Sequence, residues 1–258
     1  MHSLYRNKEI TMKTFGLIGY PLQHSFSKKF FTEKFQKEAI EAEYLNFEIP
    51  TLKEFRNILA STPHLCGLNV TIPYKEKIIP YLNGLAESAQ EVGAVNVIQI
   101  IKRQNEIITM GHNSDAYGFM ESIKPLIDSK IHTKALVLGT GGASKAILQG
   151  LMKLNIEPQL VSRKRRKGIL GYEDLTPEVI SQHKVIINCT PVGTYPNVNR
   201  CPDLPYERIS SKHLLYDLVY NPETTLFLKK GKAQGAQTIN GLKMLYLQAE
   251  RSWEIWNS

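Results

Sequence analysis

The run Lys134-Ala-Leu-Val-Leu-Gly139-Thr-Gly141-Gly142-Ala-Ser144-Lys-Ala146 is an apolar stretch of strand length that breaks on glycines and passes at once into a helical pattern. A buried strand turning this sharply into a helix is the unit from which open α/β sheets are wound. Gly139 supplies the backbone angles of the turn, and Gly141 leaves room for a pyrophosphate, whose charge rests on the helix N-terminus. Ser144 replaces the third glycine of GxGxxG. As a bare pattern the turn reads equally as a dinucleotide loop or an ordinary strand–helix connection, and its context favours the first.

The residue that selects a dinucleotide stands about 20 positions further on, at the end of the next strand. There the chain reads Leu160-Val161-Ser162-Arg163-Lys164, with no carboxylate to hold two ribose hydroxyls. A guanidinium and an ammonium are offered instead, groups that bind a 2′-phosphate. The formal charge of +8 favours anionic partners of some kind. Its one dense block, Arg163 to Lys167, makes a local anion site rather than the continuous stripe of a nucleic-acid surface, and no aromatic residues interleave with it.

Short β-branched runs alternate with helical patterns along the whole chain. Strands are expected at 14–19, 43–47, 67–70, 94–99, 107–111, 134–138, 159–161, 184–188, 214–217 and 237–239, mostly apolar as buried parallel strands are. Helices are expected at 27–39, 143–154 and 242–256, with Ser27 and Ser144 as capping candidates at the first two. Residues 98–101 and 106–109, separated by Lys102, Arg103, Gln104 and Asn105, read as a hairpin closing the first half. The strand–turn–helix pattern restarts at Lys134, which places a domain boundary near Asn113 to Gly118.

A chain of 258 residues can bury an adequate core without staples. Cys66, Cys189 and Cys201 are odd in number, widely spaced and without histidines at zinc spacing, so reduced thiols in a cytoplasmic protein are expected, and no metal. No stretch has the length of a signal peptide or membrane span. The polar residues before Lys13 read as a leader, with Met12 as an alternative start.

The first half carries Gly16-Leu-Ile-Gly19-Tyr-Pro21-Leu-Gln-His24-Ser25-Phe-Ser27, a strand, a turn and two serines at a helix start. Alone, such serines are most often caps. Three further polar clusters change the reading: Asn69-Val-Thr71-Ile-Pro73-Tyr-Lys75, Gly93-Ala-Val-Asn96 and Gly111-His-Asn113-Ser-Asp115-Ala-Tyr-Gly118. Each follows or ends an apolar strand, where open α/β sheets hold their ligands.

In these motifs the sequence resembles the shikimate dehydrogenase family, in which GxxGxPxxHSxS, NVTxPxK, GAxN and GxNTDxxG occur in this order. The resemblance continues through Asn188-Cys-Thr190-Pro191-Val-Gly193, Asp217-Leu-Val-Tyr220-Asn221-Pro222 and Gly241-Leu-Lys-Met244-Leu-Tyr-Leu-Gln248. It implies an α/β protein of two domains. One is a substrate-binding domain at 12–114 completed by 241–258, to which the C-terminal helix returns; the other is a Rossmann-type NADP domain at 115–240. It also implies reversible NADPH-dependent reduction of 3-dehydroshikimate to shikimate in chorismate and aromatic amino-acid biosynthesis, by a monomer or homodimer.

Carried over by position, the substrate residues are Ser25, Ser27, Thr71, Lys75, Asn96, Asp115, Tyr220 and Gln248. Lys75 and Asp115 form the catalytic pair. The cofactor residues are Gly139, Thr140, Gly141, Gly142, Ala143, Ser162, Arg163, Lys164, Thr190, Val219 and Gly241. Hydride addition to a ketone leaves charge on its oxygen, and Lys75 can offer both a cation and a proton there; the reverse reaction needs its neutral amine. The resemblance has departures: Lys28 stands where proline is usual and Phe31 where histidine is common, and Ser162 and Lys164 replace Asn and Thr beside Arg163. His24 lies inside a motif and reads as structural. The rival within the family is a quinate/shikimate dehydrogenase using NAD, against which the missing acid near Ser162 argues.

Overall fold

The structure, a computed structural model, describes residues 12–22, 26–104 and 106–258. Ser25, and with it His24, lies outside the described residues, as do 1–11. The chain forms two compact units. The first takes in the described residues up to Ala89, Val95–His112 and Ser252–Ser258; the second takes in Gln90–Ala94 and Asn113–Arg251.

The first unit is built on a sheet of β1 (Lys13–Gly19), β2 (Ala42–Glu48), β3 (Leu65–Val70), β4 (Gly84–Leu85), β5 (Val97–Arg103) and β6 (Glu106–His112), in the order β2-β1-β3-β5-β6-β4. β1 runs parallel to β2 and β3, and is buried over nearly its whole length, as a strand covered on both faces must be. The helices are α1 (Phe26–Lys37), α2 (Phe55–Ser61) and, as far as Ala89, α3 (Glu87–Val92). Phe31 and Phe35 of α1 pack among Phe15, Tyr44, Trp253 and Trp256, with ring centroids as close as 4.8 Å. Trp256 also donates from its indole nitrogen to the Ile98 carbonyl at 3.1 Å, so the end of the chain is both packed and hydrogen-bonded here.

β5 and β6 form the expected antiparallel hairpin, but β5 also pairs antiparallel with β3, so the sheet is mixed and the expectation of parallel strands is corrected here. The hairpin is also longer than its sequence suggests: Lys102 and Arg103 belong to β5, and Arg103 pairs with Glu106 across a turn that includes Gln104. Charged residues at the exposed end of a ladder read as loop, although their backbones remain paired. The strand expected from Ala94 begins at Val97, and the two-residue β4 carries too little pattern to be read.

The second unit comprises α4 (Asp115–Ile123), β7 (Lys134–Leu138), α5 (Gly142–Lys153), β8 (Glu157–Ser162), β9 (Ile169–Gly171), α6 (Pro177–Gln182), β10 (Val185–Asn188), β11 (Leu214–Asp217), α7 (Leu226–Ala233), β12 (Gln237–Asn240) and, as far as Arg251, α8 (Leu242–Trp256). Its strands are all parallel, in the order β12-β11-β10-β7-β8-β9. Taken in chain order within the unit, this is the 3-2-1-4-5-6 arrangement of dinucleotide-binding sheets. Alternate residues of β7 serve opposite faces: Leu136 and Leu138 pack with Phe227 and Ile180, Ala135 and Val137 with Phe119, Ile147 and Leu151. The order reverses between β7 and β10, which leaves a crevice at their carboxyl ends.

Candidate active site and cofactor site

In the first unit, Thr71, Lys75 and Asn96 are fixed through the main chain. The Thr71 amide donates to Ile18 O at 2.9 Å, and the turn beyond it closes with Tyr74 N on Thr71 O at 2.9 Å. The Tyr74 hydroxyl anchors that turn on Ile49 O at 2.6 Å. Lys75 follows, with its carbonyl accepting from Val95 N at 2.7 Å, which sets the lysine beside the segment carrying Asn96. Asn96 is 3 % exposed, and its carbonyl accepts from Val70 N and from Asn69 Nδ2.

Ser27 is the second residue of α1 and hydrogen-bonds with Tyr44. The Tyr44 hydroxyl donates to Asn69 Oδ1 at 2.8 Å, and Asn69 Nδ2 reaches Ser252 Oγ at 3.0 Å as well as Asn96 O at 3.2 Å. Burial pushes the Tyr44 phenol well above its ordinary range, and the Ser27 bond acts against that shift. A buried chain of hydrogen bonds therefore links Ser27 to Asn96. Tyr44 and Asn69 were not singled out from the sequence, although Asn69 heads one of its motifs.

In the second unit, Asp115 opens α4 and is 8 % exposed. Asn113 holds that helix start, accepting from Ala116 N at 3.2 Å and donating to Ala94 O at 3.0 Å. Gly118 lets α4 approach α8, so Asp115 and Gln248 stand on facing helices. Tyr220, 40 % exposed, lies beyond β11.

The cofactor candidates gather around the carboxyl ends of the second unit's strands. Gly139 has φ +105°, a conformation side chains resist, and it ends β7 beside the Thr190 segment that follows β10. Gly141 and Gly142 are exposed, and a β-carbon at either would meet no atom within 4 Å. This open helix start, with backbone amides facing out, fits a pyrophosphate. Ser144 is not the α5 cap, for its hydroxyl donates to the Gly141 carbonyl at 2.6 Å.

At the end of β8 the Ser162 hydroxyl donates to Lys164 O at 2.7 Å and accepts from Lys164 N at 3.2 Å, shaping the loop that presents Arg163 and Lys164. Both basic side chains are exposed and neither has a carboxylate partner among the described residues. Arg165 is engaged by Asp174 at 3.1 Å, and the Arg166 backbone pairs with Ile169. Of the basic block, Arg163 and Lys164 therefore stand nearest the end of β8, the place where a 2′-phosphate would be met.

Cys66, Cys189 and Cys201 form no disulfide, and burial beside Asp217 pushes the Cys189 thiol far up, which removes it as a nucleophile. Among the described residues no group of three or more His, Cys, Asp or Glu is placed to hold a metal ion, and no helix is long and apolar enough to cross a membrane.

Residues 17–98 match the family described as "Shikimate dehydrogenase substrate binding domain". Over nearly its whole length the chain is similar to the shikimate dehydrogenase (NADP(+)) of Methanosphaera stadtmanae, with 35% identity across 96% of this chain and 93% of that relative. A solved chorismate mutase/shikimate 5-dehydrogenase fusion protein from Clostridium acetobutylicum is 34% identical with a TM-score of 0.83, covering 96% of this chain and 92% of that one. The shikimate 5-dehydrogenase of Thermus thermophilus, solved with NADP(H) and shikimate, is 28% identical with a TM-score of 0.80, over 95% of this chain and 93% of that chain.

Proposed function

From the membership of this chain in the shikimate dehydrogenase family we infer that its polar clusters serve the reversible, NADPH-dependent reduction of 3-dehydroshikimate to shikimate. The protein is an NADP-dependent oxidoreductase acting on a CH-OH group in the shikimate pathway, the route to chorismate and the aromatic amino acids. Within that activity, the observation that carries the cofactor assignment is the pair Arg163 and Lys164, presented without acidic partners among the described residues, one strand away from the Gly139 turn. An NAD-dependent quinate enzyme needs an acid at that strand end to hold the ribose hydroxyls.

NADPH, when bound, supplies a hydride to the ketone carbon. The protein supplies the rest. Lys75 stabilises the charge developing on the ketone oxygen and delivers its proton; in the reverse direction its neutral amine takes the hydroxyl proton. Asp115 orients the ammonium and accepts from a substrate hydroxyl. Ser25 and Ser27 receive the carboxylate, while Thr71, Asn96, Tyr220 and Gln248 bind the hydroxyl groups, each a donor or acceptor suited to a polyol. The residues from Gly139 to Ala143 bind the pyrophosphate, Ser162 to Lys164 the 2′-phosphate, and Thr190, Val219 and Gly241 the remainder of the cofactor.

By function we divide the chain into a substrate part, 12–114 with 241–258, and a cofactor part, 115–240. Reduced thiols support a cytoplasmic enzyme, which we take to be a monomer or homodimer. Steady-state oxidation of shikimate and quinate, each with NADP⁺ and NAD⁺, tests the whole reading. The expected result is a preference for shikimate with NADP⁺; quinate with NAD⁺ as the best pair would overturn it.

A further inference from the structure

Asn188 ends β10 and Asp217 ends β11, directly opposite each other in register, and both are 0 % exposed. Asn188 uses its whole amide. Its Oδ1 accepts from the Thr190 amide at 3.0 Å and from the Thr190 hydroxyl at 2.6 Å, while Nδ2 donates to Asp217 Oδ1 at 2.9 Å and to Val192 O at 3.3 Å. Asp217 collects the other side. Oδ1 also accepts from Val219 N at 3.0 Å, and Oδ2 accepts from Thr225 Oγ1 at 2.6 Å. Thr225 in turn caps α7 through Leu228 N, and the Val219 carbonyl accepts from Gly241 N at 3.4 Å.

Three segments that carry cofactor residues thus meet at one buried pair. Thr190 hangs on Asn188, Val219 on Asp217, and Gly241 on Val219, all at the strand ends where this sheet binds its dinucleotide. Neither Asn188 nor Asp217 is exposed enough to touch a ligand. An arrangement needed only to close the strand ends would be met by main-chain bonds such as Leu218 N to Asn188 O, which are already present.

We propose that Asn188 and Asp217 are positioning residues for NADP(H), acting through Thr190 and Val219 and not through the substrate site. This rests on the assignment of Thr190 and Val219 to the cofactor. Removing Asn188 leaves the Thr190 amide and hydroxyl without the oxygen they donate to, and takes one of three hydrogen bonds from the Asp217 carboxylate, so the loop must rearrange toward water.

The test titrates full-length wild type, Asn188→Ala, Thr225→Val and Thr225→Ser with NADP⁺ by calorimetry, and measures the shikimate KM at saturating NADP⁺ and the thermal midpoint of each. Asn188→Ala is expected to bind NADP⁺ roughly tenfold or more weakly, with the shikimate KM within about twofold of wild type. Thr225→Val, which takes one bond from Asp217 and with it the α7 cap, is expected to weaken NADP⁺ by about threefold, and Thr225→Ser, which keeps both bonds, to restore it. Unchanged NADP⁺ affinity in the folded variants, or equal weakening toward both ligands, overturns the proposal. If Asn188→Ala fails to fold, the two Thr225 variants decide it by the same criteria. A wild type that binds NADP⁺ without oxidising shikimate would instead sink the functional reading, and the NADP⁺ titrations would still judge this one.

Discussion

Gly118 of α4 lies directly against Gln248 of α8: a β-carbon on Gly118 would stand 3.0 Å from the Gln248 amide nitrogen and 2.7 Å from the Met244 carbonyl oxygen. Both are backbone atoms, so no rotamer change relieves the clash. Gly118→Ala must push the helices apart, at a cost of roughly 1 to 3 kcal/mol, and moves Asp115, one turn earlier, away from Gln248. The shikimate KM is expected to rise with the NADP⁺ KM nearly unchanged. A variant with wild-type thermal midpoint and wild-type shikimate KM would show that this helix contact does not set the site.

Ser27 is expected to bind the substrate carboxylate although its hydroxyl is engaged with Tyr44. Tyr44 gives its own proton to Asn69, so its oxygen is free to accept from Ser27, and the serine must turn to donate to a carboxylate. Ser27→Ala should weaken shikimate binding by about 0.5 to 3 kcal/mol. An unchanged shikimate KM would leave the serine as a partner of Tyr44 alone.

Arg163 and Lys164 face solvent without acidic partners among the described residues. Two charge-assisted contacts of roughly 1.5 to 3 kcal/mol each would give at least tenfold preference for NADP⁺ over NAD⁺. Arg163→Ala should raise the NADP⁺ KM and leave the NAD⁺ KM where it was. Parallel changes with both cofactors would place Arg163 elsewhere than the 2′-phosphate.

Folding stability should depend on pH through His213. Its Nδ1 accepts from Ser210 N at 3.0 Å, which requires the neutral ring, and burial holds its pKa below the usual 6.5 with Lys184 adding to the effect. The unfolded state therefore binds the proton first as pH falls through about 6.5, and stability is lost from there downward. Asp217 works in the opposite sense, because burial pushes its carboxyl up to about 6 and protonation on folding adds stability as pH falls. Comparison with His213→Gln, which retains Asp217, isolates the histidine. The urea midpoint of wild type should exceed that of His213→Gln at pH 7.5, with the gap narrowing at pH 5.5; a constant gap would exclude the histidine as the titrating group.

The second unit was the more legible in sequence because its strands are short, apolar and separated by glycine turns and helices, and β7 and β11 lie where expected to the residue. β9 escaped because three residues after a basic run carry no period. In the first unit the hairpin of β5 and β6 was legible, but the run from 94–99 has the same apolar character whether it pairs parallel or antiparallel with β3, so periodicity could not reveal that β5 turns the sheet. The residues proposed to touch a ligand were read from their motifs. Tyr44 and Asn69, and the partnership of Asn188 with Asp217, were not, since a polar residue at a strand end does not announce which distant side chain it meets.

Lys75 carries the chemistry proposed here, and its setting explains how one lysine can serve both directions. Its carbonyl is fixed to Val95 N at 2.7 Å and the preceding Tyr74 is buried and anchored on Ile49, so the backbone from which the amine extends is held while the side chain itself is only half-buried. A rigid base with a long, flexible stem lets the amine meet the oxygen of the reacting carbon in either the ketone or the alcohol. A surface lysine held only by an ion pair would be worth ~0 to 1 kcal/mol and its loss would leave turnover alone. Removing the group that gives and takes the proton should instead lower kcat by roughly 10² to 10⁴. Lys75→Ala is therefore expected to lose turnover on that scale while binding NADP⁺ with near wild-type affinity, because the cofactor residues all lie in the second unit. Lys75→Arg should fare little better, since a guanidinium keeps the charge but does not release its proton near neutral pH. Wild-type kcat in either variant would remove Lys75 from the proton transfer and leave Asp115 to be tested in its place.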